Sequence, residues 1–274
     1  MLLLSDSALP IGSFAYSSGL ESFLMHEKQT RTRTASSSMI SLFQDKFLPL
    51  SIHSFCHTTV PYVLSAFGDP RGLEDLDNDL DASTPCTVAR RASISQGRAL
   101  LAVWTKAFCS SARSDHDKAA AVALDRFAHA LKLAAISSPS SSSSSSVLSA
   151  PSSASSSSSG VLPASSTAPP SAINGHLAPL WGCMCKALGL SAQETAYLFV
   201  FNHAKGVISA AVRASVMGPY MAQSMLASGH LEQSIRNTLE RVWFVRPDDA
   251  GQVVPLMDLW LGRHEMLYSR IFNS

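Results

Sequence analysis

The sequence predicts an all-α protein: a single-domain helical bundle carrying a long disordered serine-rich insertion. Three observations predict it. Apolar or small residues recur at helical spacing, most clearly at Ala196, Val200, His203, Val207, Ala210, Ala214 and Met217. No alternating run bounded by turn signals argues for a sheet. From Ser137 to Asn174 the chain has 20 serines, five prolines and no charged residue. Such a stretch buries too little apolar surface to offset the entropy of ordering it. The chain therefore divides into an N-terminal part over 1–136, an insertion over 137–174 and a C-terminal part of the same domain over 175–274.

The elements follow in order. A first helix is expected over Ser18–His26 and a longer one over Met39–Phe67. Pro49 predicts a break or bend in the second, and Pro61 a kink or an early end. Helices follow at Ala89–Phe108, Asp117–Ala135 and Leu177–Leu188. Ser191 and Glu194 then form a capping box, and Gly189 suits the end of the preceding helix. Gly206, Ala210 and Ala214 predict a face that a neighbouring helix can approach closely. Pro219 fits the first turn of a helix running toward Ala227, and the last helices are expected over Leu231–Phe244 and Leu256–Tyr268.

Composition excludes several function classes. Hydrophobic residues make up 46% of the 274 residues, enough for a sizeable core, and the net charge is +1. That balance gives no electrostatic footprint for nucleic acid. The longest charge-free apolar segment, Leu48–Phe67, carries two histidines and two prolines, so it reads as a buried helix and not a membrane span. Five scattered cysteines without a CxxC predict reduced thiols. The opening MLLLSDS lacks the basic region of a signal peptide. A cytoplasmic protein is the expectation.

Catalytic motifs are missing. GxxxxGK[ST], GxGxxG and GxSxG do not occur. His53, Cys56 and His57 share helical spacing and are the only candidates for a soft divalent ion; buried core roles are the simpler reading, since no fourth ligand is in evidence. Cys183 and Cys185 diverge by about 200° on a helix. Asp75, Asp77, Asp79 and Asp81 alternate like a calcium loop, but Leu80 stands where glycine is needed and Cys86 where glutamate closes the site. A solvated acidic loop or helix start is expected there. His264 and Glu265 are adjacent and so diverge on a helix.

The segment LPIGSFAYSSGLE, Leu9 to Glu21, mixes glycine, proline, hydroxyls and aromatics too closely for a helix or an ordinary surface loop. With its flanks it resembles the N-terminal motif of the urease accessory protein F (UreF) family, through Asp6, Leu9, Pro10, Gly12, Phe14, Ser17, Gly19 and Glu21. Tyr16 departs from a histidine common there. ARRASISQGRALL, the region from HLAPLWG to SAAVRASVMG, and the ending HEMLYSRIFNS are similar to later blocks of the same family. Their order makes the match specific, and the insertions look eukaryotic and fungal-like.

The resemblance implies an all-helical, dimerising, non-catalytic accessory protein. It implies binding to a UreD (UreH) partner, recruitment and modulation of the GTPase UreG, and support of nickel insertion into apo-urease. Nickel and GTP would be handled by partners, with no cofactor bound directly. It makes Leu9, Pro10, Gly12, Phe14, Tyr16 and Glu21, with Arg270, Phe272 and Ser274, candidates for partner binding. It also implies that the C-terminal tail orders on the partner, and it lets Gly206, Ala210 and Ala214 serve dimer packing. The alternatives are a nickel carrier using His53, Cys56 and His57, and an all-α enzyme of unknown class. The composition of the insertion generates a prediction of its own: replacing it with a short Gly/Ser linker leaves the melting temperature and partner capture near wild type. Loss of folding in the shortened chain would overturn that reading.

Overall fold

The computed structural model describes residues 2–6, 9–30, 38–111, 118–137 and 173–273. Among the described residues the regular elements are all helical. In chain order they are α1 (Leu2–Ser5), α2 (Leu20–Thr30), α3 (Met39–Leu42), α4 (Leu48–Gly68), α5 (Leu73–Ser83), α6 (Thr87–Val103), α7 (Lys118–Ser137), α8 (Leu177–Ala187), α9 (Ala192–Arg213), α10 (Pro219–Leu226), α11 (Gly229–Val242) and α12 (Pro255–Arg263). The bulk of the expected serine-rich insertion, 138–172, lies outside the described residues, as does Ser274.

Helix α8 is the centre. Ala178, Leu180, Trp181, Cys183, Met184 and Cys185 are all buried, as befits a helix apolar around its whole circumference. Helices α4, α6 and α7 pack around it, and α9 lies against both α4 and α8. Close approach depends on two glycines. An ideal Cβ at Gly182 would lie 2.1 Å from the Val63 carbonyl oxygen of α4, and one at Gly97 would lie 2.2 Å from the Gly175 oxygen. No side chain fits at either place.

Several expectations change on folding. The acidic stretch is a helix, α5, and Asp77 is fully buried in it, where a solvated loop or helix start was expected. The reason is a set of backbone donors at the head of α8. The Asp77 carboxylate accepts N–H bonds from Asn174 (2.7 Å), Gly175 (3.0 Å) and His176 (2.6 Å). A helix N-terminus leaves such donors without internal partners, and a carboxylate satisfies them while matching the helix dipole. Asn174 therefore belongs to the fold, although composition assigned it to the insertion; Arg98 also donates to its carbonyl at 2.8 Å. A linker replacement that spares this clamp ends at residue 172.

Pro61 does not end its helix: α4 runs unbroken from Leu48 to Gly68. One turn earlier, the Thr58 and Thr59 hydroxyls donate to the Ser54 and Phe55 carbonyls. Near Pro49, where a break or bend was expected, the chain stays helical through a π-helical turn over Phe43–Phe47, and Pro49 follows as the second residue of α4. The capping box is present: Glu194 N–H donates to Ser191 Oγ at 3.2 Å, and Ser191 N–H to the Glu194 carboxylate at 2.9 Å.

Gly206 differs from expectation too. Its Cβ position faces open space, so it makes no close helix contact within this chain, whereas Ala210 is buried and Ala214 half-buried. The small-residue packing expected at Gly206 falls instead at Gly182 and Gly97. These placements set opposite outcomes for one substitution. Gly182→Ala should lower stability by about 1–3 kcal/mol through overpacking. Gly206→Ala should raise it by about 1 kcal/mol through helix propensity. Denaturant titration of both variants checks this, and equal effects would contradict the packing.

Candidate functional site

The two ends of the described chain meet. The turn at Leu9–Gly19 reverses through Gly12 (φ 71°) and Gly19 (φ 82°), a backbone region that favours glycine. Gly19 must also be small, because a Cβ there would lie 3.2 Å from Trp260 of α12. This contact seats α12 on α2, where Phe23 and Trp260 meet edge-to-face with centroids 5.0 Å apart.

The tail beyond α12 then folds back. The buried Glu21 carboxylate accepts the Ile271 N–H at 2.8 Å and the Phe272 N–H at 3.4 Å. The Asn273 N–H donates to the Ala15 carbonyl at 2.9 Å. Phe272 is 5% exposed, with the Arg213 guanidinium 4.5 Å from its ring centre. This corrects the expectation of a tail that orders only on a partner: the tail docks on its own chain, because Glu21 supplies the acceptor that two otherwise exposed amides need.

The docked ends leave a ridge of apolar side chains in solvent: Phe14 is 68% exposed, Ile271 66% and Met266 82%, and Tyr268 is fully exposed. Of the residues expected to bind a partner, Phe14, Pro10 and Arg270 are exposed, Leu9, Gly12 and Tyr16 half-buried, and Glu21 and Phe272 buried. Arg213, Ala15 and His264 were not anticipated here. They lie within stretches the sequence singled out, but their contacts with the tail are set by how the tail docks.

Beside the ridge opens a cleft of about 1060 Å³ whose lining includes Ile11, Tyr16, Phe55, His203, Arg213 and Gln252. Several of its polar side chains bond to one another, and others, such as Thr58, Thr84 and Asn202, donate to backbone carbonyls. Ser51 Oγ lies 2.9 Å from His203 Nε2, and the His203 ring stacks on Phe55 with centroids 3.9 Å apart. Burial pushes the His203 pKa down to about 3, so the ring is neutral and a weak base at physiological pH. Ser54 donates to Gln252 Oε1 at 2.8 Å, and Gln252 Nε2 donates to Asp258 at 2.9 Å, tying the segment before α12 to α4.

The candidate metal ligands do not converge. Cys56 points into the core, while His53 and His57 are half-buried with ring centres 4.5 Å apart. Burial, aided by the charge of Arg241, holds both imidazoles below their usual pKa. Among the described residues no group of three or more His, Cys, Asp or Glu side chains is placed to hold a metal ion. His264 and Glu265 diverge as expected: His264 is buried beside Glu21, and Glu265 pairs with Arg91 at 2.5 Å. All five cysteines are free. No helix among the described residues is long and apolar enough to cross a membrane.

The fold and site define an all-helical protein whose two described chain ends meet beside a cleft and leave apolar side chains exposed. The UreF family model matches residues 45–230, and the chain belongs to the UreF family. An uncharacterized urease accessory protein UreF-like of Schizosaccharomyces pombe is 34% identical over 274 residues, covering 100% of this chain and 95% of that protein. Urease accessory protein F of Arabidopsis thaliana is 28% identical, covering 99% and 90%. Urease accessory protein UreF of Haemophilus influenzae is 22% identical, covering 100% and 94%.

The cysteine environments lead to a reactivity order. Burial raises the thiol pKa of Cys56 and Cys185, and that of Cys183 to about 12, whereas Cys109 is exposed. Since the thiolate is the reactive form, native alkylation read by peptide mass spectrometry should label Cys109 first and Cys86 more slowly. The other three should react only after unfolding. Labelling of Cys183 in the native protein would overturn their placement in the core.

Proposed function

We propose that this chain serves urease maturation as a non-catalytic scaffold. In this reading it binds a UreD (UreH)-like accessory protein, recruits and modulates a UreG-like GTPase, and supports nickel insertion into apo-urease, working as a homodimer in the cytoplasm. The chain carries no cofactor of its own, and nickel and GTP are handled by its partners. Membership of the UreF family supports the general role.

One observation carries the partner-binding reading: the docked tail and the N-terminal loop form a single surface with Phe14, Met266, Tyr268 and Ile271 exposed beside the exposed Arg270. Aromatic and arginine side chains are the groups that dominate binding energy at interfaces. Each tip stands on backbone that its own chain already holds, which lowers the ordering cost of association.

The test is co-purification with a UreD-like protein. Phe14→Ala combined with Ile271→Ala should weaken capture at least tenfold, about 1.4 kcal/mol, with helicity and melting temperature unchanged. Loss of UreG-like recruitment in the same variant should follow. Wild-type capture by the double variant would remove the ridge from the interface.

A further inference from the structure

The tail's attachment contains a group whose hydrogen bonding is incomplete. His264 has no exposed surface. Its Nε2 lies 3.2 Å from the Phe272 carbonyl oxygen. A carbonyl only accepts, so Nε2 carries the ring proton and Nδ1 is left as a bare lone pair. That Nδ1 is buried without a hydrogen-bond partner, 3.8 Å from Glu21 Oε2. The same Glu21 carboxylate holds the Ile271 and Phe272 amides. One imidazole therefore touches both halves of the clasp: the carbonyl of Phe272 and the acid that receives its N–H.

We propose that His264 and Glu21 form a proton-sensitive clasp that holds the C-terminal tail docked at neutral pH and releases it on acidification, thereby setting whether the docking ridge is assembled. The consequence for partners rests on the docking reading above; the clasp itself does not.

The direction follows from what surrounds the ring. On its own turn stands Glu265, which is drawn outward to Arg91 of α6. From α2 comes Glu21, from the tail Arg270, and from α9 Arg213, which is engaged over the Phe272 ring. Glu21 and Glu265 favour a charged imidazole and Arg270 opposes it, but enclosure dominates and holds the pKa below the usual value. Once the tail leaves, the ring regains water and loses the Phe272 carbonyl, and its pKa returns toward about 6.5. The released state therefore binds the proton more readily than the docked state. Docking is at full strength above about pH 6.5 and weakens as pH falls below it, because a proton taken up by one state stabilises that state.

The experiment is hydrogen–deuterium exchange on the full chain without any partner, with protection corrected for the intrinsic pH dependence of exchange. Protection of the peptide spanning Ile271–Asn273 should fall between pH 7.5 and pH 5.5, by up to about tenfold, while the α8 core stays protected. His264→Gln keeps a donor for the Phe272 carbonyl but cannot titrate, so its tail protection should be flat over this range. Glu21→Gln should lose tail protection at every pH. Wild-type protection that does not change with pH, or a His264→Gln variant that loses it as the wild type does, would overturn the proposal. Partner capture at pH 7.5 tests the docking reading separately, since it is measured where the clasp is closed.

Discussion

The Asp77 carboxylate sits at the one place where the rest of the fold has to be set. It accepts the Asn174, Gly175 and His176 amides at the head of α8. Around it, Ser93 Oγ takes the Leu177 N–H at 3.3 Å and lies 3.0 Å from His176 Nδ1. His176 Nε2 lies 3.0 Å from Asp81, which is braced by Arg90. Three elements, α5, α6 and the start of α8, are thus locked together, and the bonds to the Asp77 and Asp81 carboxylates are charge-assisted and stronger than neutral ones. Because α4, α6 and α7 all pack on α8, the residue at which α8 begins fixes their shared register. The chain arrives there from a serine-rich segment with no apolar pattern to guide it. The clamp supplies the register that the preceding sequence lacks.

The second constraint is the meeting of the chain ends. Glu21 stands in the first turn of α2, and its carboxylate faces two tail amides some 250 positions away in sequence. Phe272 fills the space between α2, α12 and Arg213, and this leaves Ile271 and Tyr268 outside. From Tyr268 to Asn273 only Phe272 turns inward, so the tail has a single anchor with exposed residues on either side. A surface made this way is present only when both described chain ends are docked on each other.

The reactive side chains named by the sequence are mostly enclosed. Cys56, Cys183 and Cys185 are packed in the core, His203 is stacked on Phe55, and His264 is held under the tail. Burial disfavours the charged form of each, which makes thiols poor nucleophiles and imidazoles poor bases. Beside the docked chain ends, Phe14, Met266, Tyr268 and Ile271 are instead exposed.

The sequence by itself determined the helices, because their causes are local. Helical spacing, the Ser191–Glu194 box and Pro219 at a first turn act within a few residues, and α8, α9 and α10 appear close to where those signals put them. The ordered family motifs were legible for the same reason. Tertiary structure decided what each side chain does. Asp77 reads as one of four alternating acids, and only the arrival of the α8 amides makes it a buried clamp. Gly97, Gly182 and Gly206 look alike in a helical pattern, yet a Cβ is excluded at the first two by a neighbouring backbone and faces open space at the third. Glu21 and Phe272 read as partner anchors but satisfy each other. The reason is common to all three cases: burial and hydrogen-bond partnership are set by residues distant in sequence, and no local pattern encodes which distant group will arrive.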